Sequence, residues 1–229
     1  MGFRSRVFVG SIPVAAVVLL AGCTAPAAPD PAQETASAVP ATAIPAQQTP
    51  SADPYAPVPE PGRTIEADPP AEARDLAGWV VALVVPSDDE ESRTLTDAAR
   101  EAAEHEGALV EEFVADGGAG TVESAFGDAL AAEPDVVIGL GEGTADVFSY
   151  LTAQWLDQQF LIVGAQLPEP TDNVTAVIWE GATSRGSGAP ADGDLDAAGT
   201  TRARVADAIA AGLGSVADGT TGVVLSLVG

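Results

Sequence analysis

The chain has no lysine, one cysteine and one histidine, and aromatic residues fill only 5% of its 229 positions. Nine basic residues, all arginine, face 34 acidic ones, for a net charge of −25. So few cations exclude a general nucleic-acid binder, which must displace counterions from phosphate. They also exclude electrostatic adhesion to anionic lipid. One cysteine excludes an intrachain disulfide framework, and Cys23 with His105 is too small a set for a structural zinc site. A long hydrophobic run is missing too. The most extended, Val7 to Leu20, is broken by Pro13 and falls short of the ~20 residues that a membrane-spanning helix needs. What is present is 46% hydrophobic residues, enough for a core if they are concentrated in one part of the chain. The length sits between one and two domains.

Residues 1–22 combine Arg4 and Arg6, the short apolar run and the small residues Ala21 and Gly22, the physical parts of a secretory signal. They hold no acid, so their removal takes the net charge to −27. Leu20-Ala21-Gly22-Cys23 resembles the bacterial lipobox. That resemblance implies cleavage before Cys23, acylation of its sulfur and amine, and attachment to membrane lipid on the outer face of the bacterial cell membrane. Two or more acyl chains suffice for a stable anchor, where one is marginal. From residue 23 to 75 the chain carries 12 of its 18 prolines among alanine, threonine, glutamine and serine. Such a segment buries too little apolar surface to offset its ordering entropy, and is expected to be a disordered tether. Tyr55 and Ile65 read as incidental apolar residues within it.

Folded structure is expected over 76–229. Trp79 to Val85 is a β-branched run, as in a strand buried on both faces of a parallel sheet. Leu95, Ala98, Ala99, Ala102 and Ala103 then follow helical spacing up to Gly107. Leu109–Val114 reads as a second strand, and Thr121 as the cap of a helix carrying Val122, Ala125, Phe126, Ala129 and Leu130. Asp135–Gly139 is a third strand, and Thr144 caps a helix with Val147, Phe148, Leu151 and Trp155. Phe160–Val163 and Val174–Trp179 are the fourth and fifth strands. After a Gly/Ser/Asp-rich loop, a helix with Val205, Ala208, Ile209 and Leu213 precedes a last strand, Gly222–Val228. Six strands and four helices in alternation predict an α/β three-layer sandwich. Its sheet is mainly parallel and doubly wound with right-handed crossovers, in the order 2-1-3-4-5.

The stretches Val80-Val81-Ala82-Leu83-Val84, Ala98-Ala99-Arg100-Glu101-Ala102-Ala103 and Asp135-Val136-Val137-Ile138-Gly139-Leu140-Gly141 resemble the basic-membrane-protein family, as does Asn173 to Glu180. The members of that family are extracytoplasmic substrate-binding lipoproteins of ABC importers. The resemblance covers roughly 78–181 and implies a type I periplasmic-binding-protein-like lobe, a nucleoside-like small-molecule ligand and an ABC permease or partner subunit. Two features depart from it. The loop after the first strand is Ser87-Asp88-Asp89-Glu90-Glu91-Ser92-Arg93, and the fourth strand runs into Gly164-Ala165-Gln166 where the family has an acid. A clamshell needs two lobes, and the roughly 150 residues after the tether make one.

Enzymatic motifs fail on inspection. Gly139-Leu140-Gly141-Glu142-Gly143 follows the third strand and carries an acid, so it reads as a tight turn rather than a pyrophosphate loop. Ala182-Thr183-Ser184-Arg185-Gly186 has no following helix and no histidine downstream for a hydrolase triad. Asp192-Gly193-Asp194-Leu195-Asp196 opens like a calcium loop, but Ala197 and Ala203 stand where glycine and an acid are required. His105, between Glu104 and Glu106, reads as a surface residue. No cofactor or metal is therefore expected, and no catalytic activity.

Ligands of open α/β sheets lie beyond the carboxyl ends of strands. This places candidate binding residues at Ser87, Asp88, Asp89, Gly141, Glu142, Gln166, Trp179 and Glu180, with Trp179 able to stack on a planar ligand. The leading expectation is a solute-binding lipoprotein. The alternative is an interaction or structural lipoprotein that kept the lobe and lost the ligand. The anchor has a direct check. In Cys23→Ala, processing should fail or the protein should leave the membrane fraction, and unaltered fractionation would overturn the lipobox reading.

Overall fold

Short β-branched runs alternating with alanine-rich amphipathic segments fold as their periodicity dictates. The computed structural model describes residues 60–117, 119–186 and 199–228. The signal segment, Cys23, the tether up to 59, Tyr55 and the Asp192–Asp196 motif lie outside the described residues. Seven strands occur in chain order: β1 Arg63–Ala67, β2 Val80–Val85, β3 Leu109–Val114, β4 Val136–Leu140, β5 Gln159–Val163, β6 Val174–Ile178 and β7 Val223–Leu227. The helices are α1 Glu90–His105, α2 Ala119–Ala131, α3 Glu142–Leu151 and α4 Arg202–Ala217. No described helix is long and apolar enough to cross a membrane.

All strands pair in parallel in one sheet, in the order β1-β7-β6-β5-β4-β2-β3. From β3 to β6 this is the order that the sequence predicts. Strands β4, β5 and β6 are buried along almost their whole length, because helices cover both faces. Alternate residues of each strand go to opposite sides. Leu83, Ile138, Leu161 and Val177 pack with α1 and α4, and Ala82, Val137, Ile162 and Ala176 with α2 and α3.

The structure corrects the expected boundary. Residues 63–67, assigned to the tether, form β1 and pair with β7 from Arg63↔Val223 to Ala67↔Leu227. Ile65 and Ala67 pack on the core while Thr64 and Glu66 face out. The prolines bracket this strand and leave its N–H groups intact, so composition averaged over the tether hides it. Leu76 then anchors the approach to β2: it is buried, and its N–H donates to the Glu106 carbonyl at 2.8 Å.

Three local expectations also change. Thr121 and Thr144 are not caps but lie inside the first turns of α2 and α3, and Thr144 Oγ1 donates back to the Gly141 carbonyl at 2.9 Å. Trp155 lies beyond the end of α3 and is 52% exposed. The crossovers are not all of one hand. β4–α3–β5 and β6–α4–β7 step the same way across the sheet, yet α3 and α4 cover opposite faces. α1, α2 and α3 agree with one another, so α4 is the exception to the right-handed rule. The long connection after β6 removes the constraint that a short βα loop imposes.

On the α2/α3 side, Phe126 stacks on Phe160 at 5.4 Å and meets Phe148 edge-on at 5.0 Å. Gly139 makes room for this trio, since a Cβ there would lie 2.9 Å from the Phe148 ring and 2.8 Å from Thr144 Oγ1. Both neighbours are buried and neither is the free end of a flexible chain. Gly139→Val gains β propensity worth at most ~1 kcal/mol and should lose more, about 1–3 kcal/mol, to overpacking. Urea unfolding should show the net loss.

Candidate functional site

The connections out of β2 and β4 run to opposite sides of the sheet, so the chain reverses direction between these neighbouring strands. A crevice must open beyond their carboxyl ends, because the loops diverge there. The structure has a cleft of about 430 Å³ at this place, lined by the β2–α1 loop, the start of α1, the β4–α3 turn and the exposed side of α3.

The β2–α1 wall is held by its own hydrogen bonds. Asp89 is the N-cap of α1: its Oδ1 accepts from the Ser92 N–H at 2.8 Å. Its Oδ2 accepts from the Ser87 hydroxyl at 2.5 Å, and the Ser87 and Ser92 hydroxyls lie 2.9 Å apart. The opposite wall is built differently. Gly141 has φ 72° and caps α3 without any side-chain hydrogen bond, so the N-terminal turn faces the cleft with only backbone behind it. Gly143 approaches Pro86 so closely that a Cβ would sit 2.7 Å from that ring. Glu142 and Asp146, four residues apart on α3, place two carboxylates on one helical face. Gly186, φ 71°, brings the segment after β6 against Asp146, where a Cβ would collide with Oδ1 at 2.3 Å.

The cleft therefore brings together four of the sequence-predicted residues: Ser87, Asp89, Gly141 and Glu142. The other four lie elsewhere. Asp88 is exposed beside the cleft, its carbonyl taken by the Arg93 guanidinium. Gln166 is 2% exposed, and its amide donates to the Thr183 carbonyl at 3.2 Å, tying two loops together. Trp179 is 3% exposed and belongs to the core on the α1/α4 side, which corrects its assignment as a stacking platform. Its place in the strand alternation, two residues after Val177, turns it to the interior rather than to the rim. Glu180 is exposed but does not line the cleft. Sequence reasoning missed Ser92 and Asp146. Asp89-x-x-Ser92 is a helix-start spacing, and Glu142/Asp146 share a face at i, i+4, so both signals were present.

Chemically, the cleft offers hydroxyls, carboxylates and the positive end of a helix above apolar walls from Leu95, Leu140 and Val147. That set suits a neutral or positively charged polar solute that donates hydrogen bonds, and it repels anions. Among the described residues no group of three or more histidine, cysteine, aspartate or glutamate side chains is placed to hold a metal.

No protein-family model and no curated protein matches the chain. Solved structures do. An ABC transporter system solute-binding protein from Aeropyrum pernix K1 is 19% identical over 44% of this chain and 28% of its own, with a TM-score of 0.37. An ABC transporter solute-binding protein from Bradyrhizobium sp. BTAi1 is 12% identical over 69% of this chain and 51% of its own, at 0.35. A transcriptional activator of the comK gene from Bacillus halodurans is 19% identical over 45% and 35%, at 0.37. The chain thus spans between about a quarter and a half of the length of these proteins.

Asp89 separates the cleft's structure from its chemistry. Asp89→Ala removes the cap of α1 and should cost about 0.5–2 kcal/mol in chemical denaturation, whereas Asp89→Asn keeps an acceptor and should cost far less. Equal losses would show that the cap is not what Asp89 contributes.

Proposed function

We propose that the chain is an extracytoplasmic lipoprotein that holds a small polar solute in the β2/β4 cleft. In this reading the protein is anchored through acylated Cys23 on the outer face of the bacterial cell membrane and serves an ABC permease or a partner subunit. The observation that carries the reading is the cleft itself: about 430 Å³ at the point where the chain reverses direction, with a helix N-terminus and carboxylates converging on it. The stretches resembling basic-membrane-protein lipoproteins support the same class, and a nucleoside or another polyhydroxylated solute would supply the donors that Glu142 and Asp146 can accept from. The described lobe covers one side of such a ligand, and a second surface closing over the cleft would raise the affinity.

One observation favours the second reading, a lipoprotein that keeps the lobe as scaffold or interaction module. Ser87, Asp89 and Ser92 already bond to one another, so part of the cleft's polar inventory serves α1. A thermal-shift screen of neutral nucleosides and sugars on the full chain separates the two. A solute present at about 100 times its Kd adds ~2.7 kcal/mol of stability by mass action. A solute-dependent rise in Tm that Glu142→Gln or Asp146→Asn weakens supports binding. No shift for any neutral solute at millimolar concentration supports the scaffold.

A further inference from the structure

The end of the sheet opposite the cleft carries a concentration of exposed apolar side chains. Among the described residues six large hydrophobic side chains are exposed, and three of them, Tyr150, Trp155 and Leu156, fall within seven consecutive positions. Exposed aromatic and aliphatic residues gathered in one place mark contact surfaces, whereas scattered ones say nothing. Trp155 forms one wall of a groove of about 450 Å³ at the amino ends of β4 and β5, with Leu130, Glu133, Pro134 and Gln158. The patch continues onto α2, where the Tyr150 hydroxyl donates to Glu123 at 3.3 Å, one turn before Gly127 at the groove.

The groove's side chains offer acceptors and no cation. Gln158 Nε2 donates to the carbonyls of Pro134, Asp135 and Gln159 at 3.2, 3.4 and 3.2 Å, which spends its donor on the protein and leaves its carbonyl oxygen over. Glu133 supplies an exposed carboxylate, and no basic side chain lines the groove. The backbone of Glu133 is a further observation. With φ 51° it is the single non-glycine residue in the left-handed region among the described residues. It stands just past the end of α2, where glycine is the favoured residue. The chain thus holds a carboxylate beside Trp155 at a position whose backbone favours no side chain.

We propose that the Trp155 groove docks a partner protein through an arginine flanked by apolar residues, the guanidinium stacked on the Trp155 indole and paired with Glu133. A guanidinium is planar, weakly hydrated and rich in donors, so it satisfies an aromatic face, a carboxylate and an amide oxygen together. The apolar flanks cover Leu130 and Leu156. A free arginine-like solute would leave Leu156 and Tyr150 bare, so the extent of the patch favours a protein segment. The net charge of −25 adds long-range attraction for a basic partner. A second copy of the chain is disfavoured, because a two-fold contact would bring Glu133 and the neighbouring Asp157 towards their own like charges.

The test is isothermal titration of the full chain at low ionic strength with a short blocked peptide that carries arginine between two leucines. The control peptide has citrulline, the neutral isostere, in place of arginine. The expected result is saturable one-site binding of the arginine peptide, with the citrulline peptide about threefold to tenfold weaker. Trp155→Ala and Glu133→Gln should each weaken the arginine peptide by a similar factor. Glu133→Gly guards against a folding artefact. It removes the same carboxylate where the left-handed backbone favours glycine, so Tm should hold or rise while binding falls. Equal affinity for the two peptides, heats that never saturate, or binding unaltered by Glu133→Gln would overturn the proposal. A loss caused by Glu142→Gln instead would place the peptide in the cleft and refute it. Self-association that depends on Trp155, without peptide binding, would give the patch to a second copy and refute it too. Groove and cleft lie at opposite ends of the sheet and the cleft screen uses neutral solutes, so either reading can fail without the other.

Discussion

The rest of the structure depends on the need to cover both faces of a parallel sheet. Parallel strands need long crossovers to restore their direction, and each crossover leaves a helix on one face or the other. With β4, β5 and β6 buried almost throughout, neither face can be left to water. α1 and α2 must go to opposite sides, and that demand forces the chain to change direction between β2 and β4. The cleft is the geometric residue of this reversal. No side chain has to open it. What the side chains do is give it chemistry, through the Asp89 cap on one wall and the uncapped turn at Gly141 on the other.

How much of this the sequence reveals depends on whether a feature is set by local pattern. The strand order from β3 to β6 is legible because β-branched runs, alanine-rich helical spacing and the crossover rule leave few alternatives. β1 is not. Five residues among prolines look like tether, and only pairing with β7, more than 150 residues away, makes Arg63–Ala67 a strand. The left-out rule at α4 has the same origin, because a long connection gives no local signal of the face it returns to. At the site, Ser87, Asp89, Gly141 and Glu142 are found from strand ends alone, since that argument concerns backbone position. It fails for Gln166 and Trp179, where backbone position is right but side-chain direction points into the protein. The alternation that buries Val177 buries Trp179 with it.

The excess of acid is uninformative as a total and informative residue by residue. Most carboxylates here are solvated or locally used. Asp97 and Glu112 hold Arg100 on either side, and such exposed pairs contribute little, typically 0–1 kcal/mol. Asp89 spends both oxygens on the start of α1. Glu142 and Asp146 are exposed at the cleft, so they bias which solutes enter without costing the fold much.

Glu106 differs from all of these because it is buried before any ligand is considered. Its folded pKa is raised, so its protonated form fits the fold best. By linkage, that contribution to stability is fully present below the unfolded pKa and is lost as pH rises through the folded one. Its charged form bears the desolvation cost of burial, which the bond from the Leu76 N–H to the Glu106 carbonyl and the packing around it must offset. Replacing such a group with a neutral one is inexpensive in general. The cleft acids Glu142 and Asp146 are exposed and carry no such burial cost, so an acid's cost to the fold is set by where it lies and not by the net charge.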